Sequence, residues 1–370
     1  MSTLLFRGEK TFGVDENLYS HYNNYEIFKY SHHHLFQGKN LYVIHPTEHF
    51  DFFKYSPSFA VFFGVFSHFP DWIGLMLWSL LNALLLVYSF YYLPRISNFS
   101  KGLMVMIVLL ELITALLNAQ SNALLAALMI LSFGKMEKGK EFWASFFMVS
   151  SVFIKVFGLV GFAIFLLYPK KWKVVLYSFF WFAVWLILPL AFINLEKYQF
   201  LVESWMNLLG AEKITYLNFS FLSVLKLISS VPINNLFIQV LGVVVFLIPM
   251  LFCKKYQFYR FRLLTLASIL IWVVIFNHRA ESPTFVIAMA GIAIWFVASP
   301  KNKWNIALFA SSIILTSLAL TDAFPPIVRR EFIVPYSVKA WPCIAIWFKI
   351  VYDMLMLRED VAGDLLAIEK

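Results

Sequence analysis

Seven of the eight histidines fall before residue 70, at His21, His32, His33, His34, His45, His49 and His68, with Glu26, Glu48 and Asp51 among them. Imidazoles and carboxylates are the side chains that hold divalent metals or carry protons near neutral pH. Three adjacent histidines cannot share one helical face, and no zinc-type spacing occurs. No metal is assigned on this pattern, and interfacial polar packing is the expected role. Asp51 stands apart because it precedes Tyr55-Ser56-Pro57, after which the apolar run Ser58–Phe69 turns back toward an apolar medium. A carboxylate in such a partly buried loop can act as a general base, with Glu48 and Glu26 as substitutes. A solvated loop acid is the alternative.

Three further segments could carry chemistry. Asn118-Ala-Gln-Ser-Asn122 interrupts an apolar stretch with the amides of Asn118, Gln120 and Asn122, which can cap helices or pair with sugar hydroxyls. Lys155 sits inside the nearly apolar stretch Ser150–Leu167, where a cation is costly unless it is paired or faces a cavity. It can serve as a point charge for a phosphate. The other readings are snorkelling to an interface or pairing with Glu111. The loop Asn277–Pro283 offers His278, Arg279 and Glu281, either as a second wall of a site or as an interfacial salt bridge. Lys349 and Asp353 are spaced to pair along one helix and are read as structural.

The elements that must position these groups are membrane helices. Of 370 residues, 61% are hydrophobic and 14% charged, and mean hydropathy is +0.75. Soluble domains average about 45–50% apolar and about 25% charged, so this surface requires lipid. Apolar runs at 71–92, 103–117, 120–134, 142–154, 156–168, 172–193, 235–252, 261–276, 283–298, 304–321 and 337–356 predict an all-α polytopic bundle of about eleven spans. Several fall short of the roughly 20 residues of a perpendicular span. The pairs 103–117/120–134 and 142–154/156–168 are therefore expected to be short or broken helices. Broken helices are tolerated where they line a cavity.

Lysine and arginine gather in alternate loops, around Arg95, Lys135–Lys140, Lys170–Lys173, Lys254–Arg262 and Lys301–Lys303. That face is expected to be cytoplasmic. This distribution accounts for the net charge of +9, with no need for nucleic acid. The opposite face receives residues 1–70, Asn118–Asn122, the loop around 194–234, Asn277–Pro283 and Thr321–Lys339, which hold most of the candidate site. The expected organisation is one integral-membrane domain over 1–356, with 1–70 as external loop and re-entrant segment. Residues 357–370 then form a cytoplasmic tail. Nothing apolar precedes the polar first 56 residues, so a further span is expected upstream of Met1. Cys253 and Cys343 are expected to lie too far apart to pair. Nucleotide-binding, serine-hydrolase and zincin motifs are absent.

Taken in order, Asn24-Tyr-Glu-Ile-Phe28, Leu35-Phe-Gln-Gly38, Leu41-Tyr42 and Tyr55-Ser-Pro57 resemble the first external loop of glycosyltransferase family 87, of the GT-C fold. Asn118–Asn122, then Ile154-Lys155-Val156-Phe157 and the basic Lys170-Lys171-Trp172-Lys173 loop, resemble its middle signature. The resemblance runs from about 20 to 300 and, with His278–Ser282, is similar to versions from Bacteroidetes-type bacteria. It implies an inverting hexosyltransferase in a bacterial inner membrane, with its active site on the periplasmic side. The donor would be a polyprenyl-phosphate sugar, often mannose, and the acceptor a lipid or glycan; no cofactor is implied. An acidic residue of the first external loop would deprotonate the acceptor hydroxyl. Many members carry Asp where this chain has Asn24, and an amide cannot be that base. The role then falls to Asp51, Glu48 or Glu26, or the chain is a catalytically inactive member. A lipid-linked glycan flippase or solute transporter is the rival from another class.

Overall fold

The computed structural model describes residues 11–14, 17–211, 219–228 and 234–357. Most of the expected tail and the first ten residues lie outside this set. A short antiparallel pair, β1 (Thr11–Val14) with β2 (Asn17–Ser20), precedes a helical chain. Helix α1 (Asn23–Gln37) ends at Gly38, whose φ of 78° is the left-handed conformation that glycine adopts without strain. Helix α2 (Pro57–Ser67) starts where the sequence supplies both signals: Ser56 caps the Phe59 N–H at 3.2 Å, and Pro57 occupies the first turn.

Helices α3 (Asp71–Tyr92), α4 (Asn98–Leu117) and α5 (Asn122–Glu137) follow, then α6 (Glu141–Ile154), a 3-10 helix at Val156–Leu167 and α7 (Lys171–Ile187). Next come α8 (Leu195–Ala211), α9 (Phe221–Ile228), α10 (Asn235–Leu247), α11 (Tyr259–Ile275), α12 (Phe285–Ala298), α13 (Lys303–Ser312) and α14 (Trp341–Met356). Three apolar helices are long enough to cross a membrane, at Asp71–Tyr92, Asn98–Leu117 and Lys171–Ala191. The other apolar helices are shorter, so the expected count of about eleven spans, several of them short, is not confirmed by length. The run expected at 103–117 is a full helix of 20 residues rather than a short one. The break expected at Lys155 is present, since the chain leaves α6 there in an extended conformation.

Burial sorts the helices. Helices α5, α11 and α12 are buried on nearly every side, as expected for helices that are apolar all round and central. By contrast α7 leaves Trp172, Leu176 and Phe179 exposed, an apolar surface that lipid, not water, would cover. Core packing runs from α3 through α5 to α6, and from α4 through α12 and α11 to α14.

A second cluster packs α1 and α2 onto α3. Phe28 meets Tyr55 at 4.8 Å and Trp78 at 5.8 Å, both edge-on, and Tyr55 stacks on Phe59 at 4.6 Å. Such aromatic pairs contribute about 0.5–1.5 kcal/mol each beyond burial. This cluster fixes the loop 38–56 over the ends of α4, α5 and α6. Glu111 does not reach Lys155. Its carboxylate lies 2.8 Å from Lys339 Nζ, with both side chains fully buried. Cys253 is exposed, Cys343 is buried, and both are free thiols.

Candidate functional site

The turn between α4 and α5 is held by its neighbours. Ala119 adopts a left-handed φ of 50°, and its carbonyl accepts from Trp78 Nε1 at 2.9 Å. Asn82 Oδ1 accepts from the Leu124 N–H at 3.0 Å, satisfying one donor that the start of α5 leaves open. Ser121 Oγ donates to the Tyr55 hydroxyl at 3.1 Å. Burial pushes the Tyr55 phenol well up, so it stays protonated at any physiological pH. Asn118 is exposed and acts as a cap, donating to the Thr114 carbonyl at 2.8 Å.

The loop carrying Asp51 is pinned from α1. Asn23 Oδ1 accepts from the Phe50 N–H at 2.8 Å, and its amide donates to the Phe50 carbonyl. Asn24 Nδ2 donates to the Asn118 carbonyl at 2.9 Å. Asp51 itself has a φ of 82°, a conformation uncommon outside glycine, asparagine and aspartate. Its carboxylate accepts from the Phe52 N–H at 2.7 Å, and both of its oxygens lie 3.3 Å from Lys54 Nζ.

These segments enclose a cavity of about 260 Å³. Its wall includes Asn24, Asp51, Lys54 and Tyr55 from the N-terminal segment, Gln120 from the α4–α5 turn and Lys155 from the end of α6. Arg279 and Glu281 come from the α11–α12 loop. Apolar surface comes from Ile27, Phe28, Phe52, Val156 and Phe157. One polar chain crosses it. Lys155 Nζ donates to Asn122 Oδ1 at 2.7 Å, Asn122 Nδ2 donates to Gln120 Oε1, and Gln120 Nε2 donates to Glu281 Oε2 at 3.1 Å. Lys155 also lies 5.7 Å from the centre of the Tyr55 ring, inside cation–π range.

Asn24, Asp51, Gln120, Lys155, Arg279 and Glu281 therefore meet at one cavity, with Asn122 directly behind. Three candidate proton carriers are not in its lining. Glu48 lies 2.7 Å from His34. Glu26 lies 3.7 Å from Lys29, which pairs with Asp71 at 2.7 Å. His278 Nδ1 lies 3.3 Å from Gln239 Nε2. Lys54 and Asn23 were not singled out from sequence. Lys54 could have been found as the cation three residues after Asp51, whereas no sequence signal marks Asn23.

Two cations, Lys54 and Lys155, a guanidinium and two carboxylates around a space of this size suit an anionic, hydroxyl-bearing ligand. The family model described as glycosyltransferase family 87 matches residues 52–320. The matched range includes the amide turn, Lys155, Arg279 and Glu281. It begins after Asp51 and does not reach the motifs at Asn24–Phe28, Leu35–Gly38 and Leu41-Tyr42. No curated protein matches the chain.

Proposed function

The chain belongs to glycosyltransferase family 87, and on that premise we propose that it moves a hexose such as mannose from a polyprenyl-phosphate sugar to a lipid or glycan acceptor. The reaction takes place on the periplasmic face of a bacterial inner membrane, the face opposite the lysine-rich loops. The observation that carries this reading is the shared cavity of Asp51, Lys155, Arg279 and Glu281.

In this mechanism the acceptor hydroxyl gives its proton to the Asp51 carboxylate as its oxygen bonds to the anomeric carbon. The bond from that carbon to the phosphate oxygen breaks in line, on the opposite side, which inverts the centre. Negative charge grows on the departing lipid phosphate, where Lys155 and Arg279 receive it. Fixed charges aimed at developing charge, away from bulk water, are the most effective stabilisers. Lys54, 3.3 Å from both Asp51 oxygens, holds the carboxylate in place between turnovers. Glu281, oriented by Gln120, accepts from sugar hydroxyls. A volume below the usual range of about 300–1,000 Å³ for drug-sized sites suits one monosaccharide, with the polyprenyl chain outside.

The test is transfer of radiolabelled sugar from a polyprenyl-phosphate donor by the full-length protein in liposomes. Asp51→Asn should lower kcat by about 10²- to 10⁴-fold, while Glu48→Gln and Glu26→Gln should retain near-normal rates. Full activity in Asp51→Asn would remove the base assignment. Movement of donor across the liposome membrane with no covalent product would replace transfer with flipping.

A further inference from the structure

The histidine-rich segment contains an arrangement that its spacing in sequence conceals. The helix separates the three adjacent histidines. His32 Nδ1 lies 3.0 Å from the Ala60 carbonyl, whereas His34, on another side of α1, faces the turn at residues 45–49. His34 is 2% exposed. Its Nε2 lies 2.7 Å from Glu48 Oε2, yet both atoms are buried and neither makes a hydrogen bond. A nitrogen and an oxygen that close without hydrogen-bond geometry are placed as two ligands of one ion would be. Ligands at about 2.0–2.2 Å from a tetrahedral ion stand about 3.3–3.6 Å from each other, so the pair would open by under about 1 Å to admit one.

The third group is His45, whose ring centre is 4.1 Å from that of His34. Its Nε2 lies 3.0 Å from the Asn40 carbonyl, so Nε2 carries the proton and Nδ1 keeps its lone pair. A ligating histidine is normally oriented by such a carbonyl. One donor atom from each of His34, His45 and Glu48 lies within 4.8 Å of the others. The nearest cation, Lys39 Nζ, is 3.6 Å from Glu48 Oε1 on an exposed side chain that can turn into solvent.

We propose that His34, His45 and Glu48 bind one divalent cation of the zinc class. Two imidazoles and a carboxylate suit zinc and its first-row neighbours and do not suit magnesium. The ion would tie the C-terminal end of α1 to the turn that leads into Asp51, where His49 Nδ1 lies 3.1 Å from the Asp51 carbonyl. The site therefore steadies the loop and takes no part in the transfer chemistry.

The experiment uses full-length, tag-free protein stripped with chelator in detergent, then dialysed to equilibrium against Zn²⁺ with metal quantified per chain. One equivalent is expected, not displaced by excess Mg²⁺, with a rise in thermal midpoint. Co²⁺ in place of Zn²⁺ should give a visible absorption band. His45→Ala and Glu48→Gln should each weaken binding about tenfold or more. Lys39→Met, which removes an exposed competing charge, should tighten it, and His33→Ala should leave it unchanged. Absence of a stoichiometric ion, or equal binding by Glu48→Gln, His45→Ala and the parent, would overturn the proposal and leave a histidine–carboxylate contact. Lys39→Met provides a fold-preserving variant; weaker binding there would also count against the site.

Discussion

Lys155 Nζ lies 2.7 Å from Asn122 Oδ1, although the two residues come from different helix ends. The contact begins the polar chain that runs through Gln120 to Glu281, so the cation is held in place before any ligand arrives. Prepositioning of this kind is what makes a charge effective in a transition state. Lys155→Met should therefore lower kcat by about 10²- to 10³-fold with little change in the acceptor KM. Glu281→Gln should raise KM for the donor more than it lowers kcat. Steady-state kinetics with both substrates varied distinguishes the two patterns.

Asn23 acts on Asp51 through the backbone. Its side chain bonds both the N–H and the carbonyl of Phe50, immediately before the left-handed Asp51. Asn23→Ala removes two hydrogen bonds, each contributing about 1 kcal/mol. We expect a drop in kcat with donor binding largely kept, and faster amide exchange over residues 48–54. The choice of Asp51→Asn as the charge probe follows from the same geometry. Asparagine tolerates a positive φ, whereas alanine there would mix backbone strain of about 1–2 kcal/mol with loss of the acid.

How far the site could be read from sequence depended on whether a residue's chemistry was local. Lys155 was legible because a lysine in an apolar stretch is conspicuous, and Asp51 because an acid precedes a Ser-Pro helix start. Glu48 and Glu26 stood behind Asp51 as substitutes in one dimension. Packing of α1 separates them, since each turns to a neighbouring basic side chain and away from the cavity. The Glu111–Lys339 pair was not legible because Lys339 lies far along the chain, and pairing with Lys155 was the alternative reading that the structure removes. The run at 71–92 coincides with α3, and those at 142–154 and 156–168 meet their helices within a residue, whereas 103–117 missed the first turn of α4. The 3-10 helix at Val156–Leu167 and the π turn at Ile313–Ser317 depart from α geometry, a local detail that hydropathy does not encode.

Stability should fall in acid. Burial pushes His34 down to about 4 from its ordinary 6.5, against the pull of nearby Glu48, with His45, Lys39 and His49 adding to the lowering. Burial lowers His32 and His49 as well. The unfolded chain thus takes up protons that the folded chain refuses between pH 6.5 and about 4. Stability rises with pH wherever the unfolded state binds more protons, so it is lost as pH falls through that window. In chelator, the thermal midpoint should decline from pH 6.5 to about 4. His34→Asn should flatten part of that slope.

The Glu111–Lys339 pair gives a test in the core. Lys339 Nζ also donates to Ser282 Oγ at 2.8 Å, so the pair steadies the loop that carries Glu281. Removing one partner leaves a buried charge alone, which costs about 3–5 kcal/mol. Glu111→Leu and Lys339→Met should each lower the thermal midpoint in detergent strongly. The double variant should recover much of the loss, because both charges leave together. Equal loss in the single and double variants would mean that the pair contributes through packing alone.

Asn24 decides whether the chain has traded one base for another. Its Nδ2 donates to the Asn118 carbonyl at 2.9 Å, which ties α1 to the amide turn. A carboxylate has no proton to give there, so Asn24→Asp would set two acceptors against each other beside Asp51. If Asp51 is the base, the substitution should lower activity and loosen the turn, seen as faster amide exchange at residues 118–121. Paired with Asp51→Asn, it should not restore the rate. A gain in rate for Asn24→Asp, or rescue of Asp51→Asn by it, would move the base to position 24. The amide of Asn24 would then mark a weakened active site, and Asp51 would be left as the partner of Lys54.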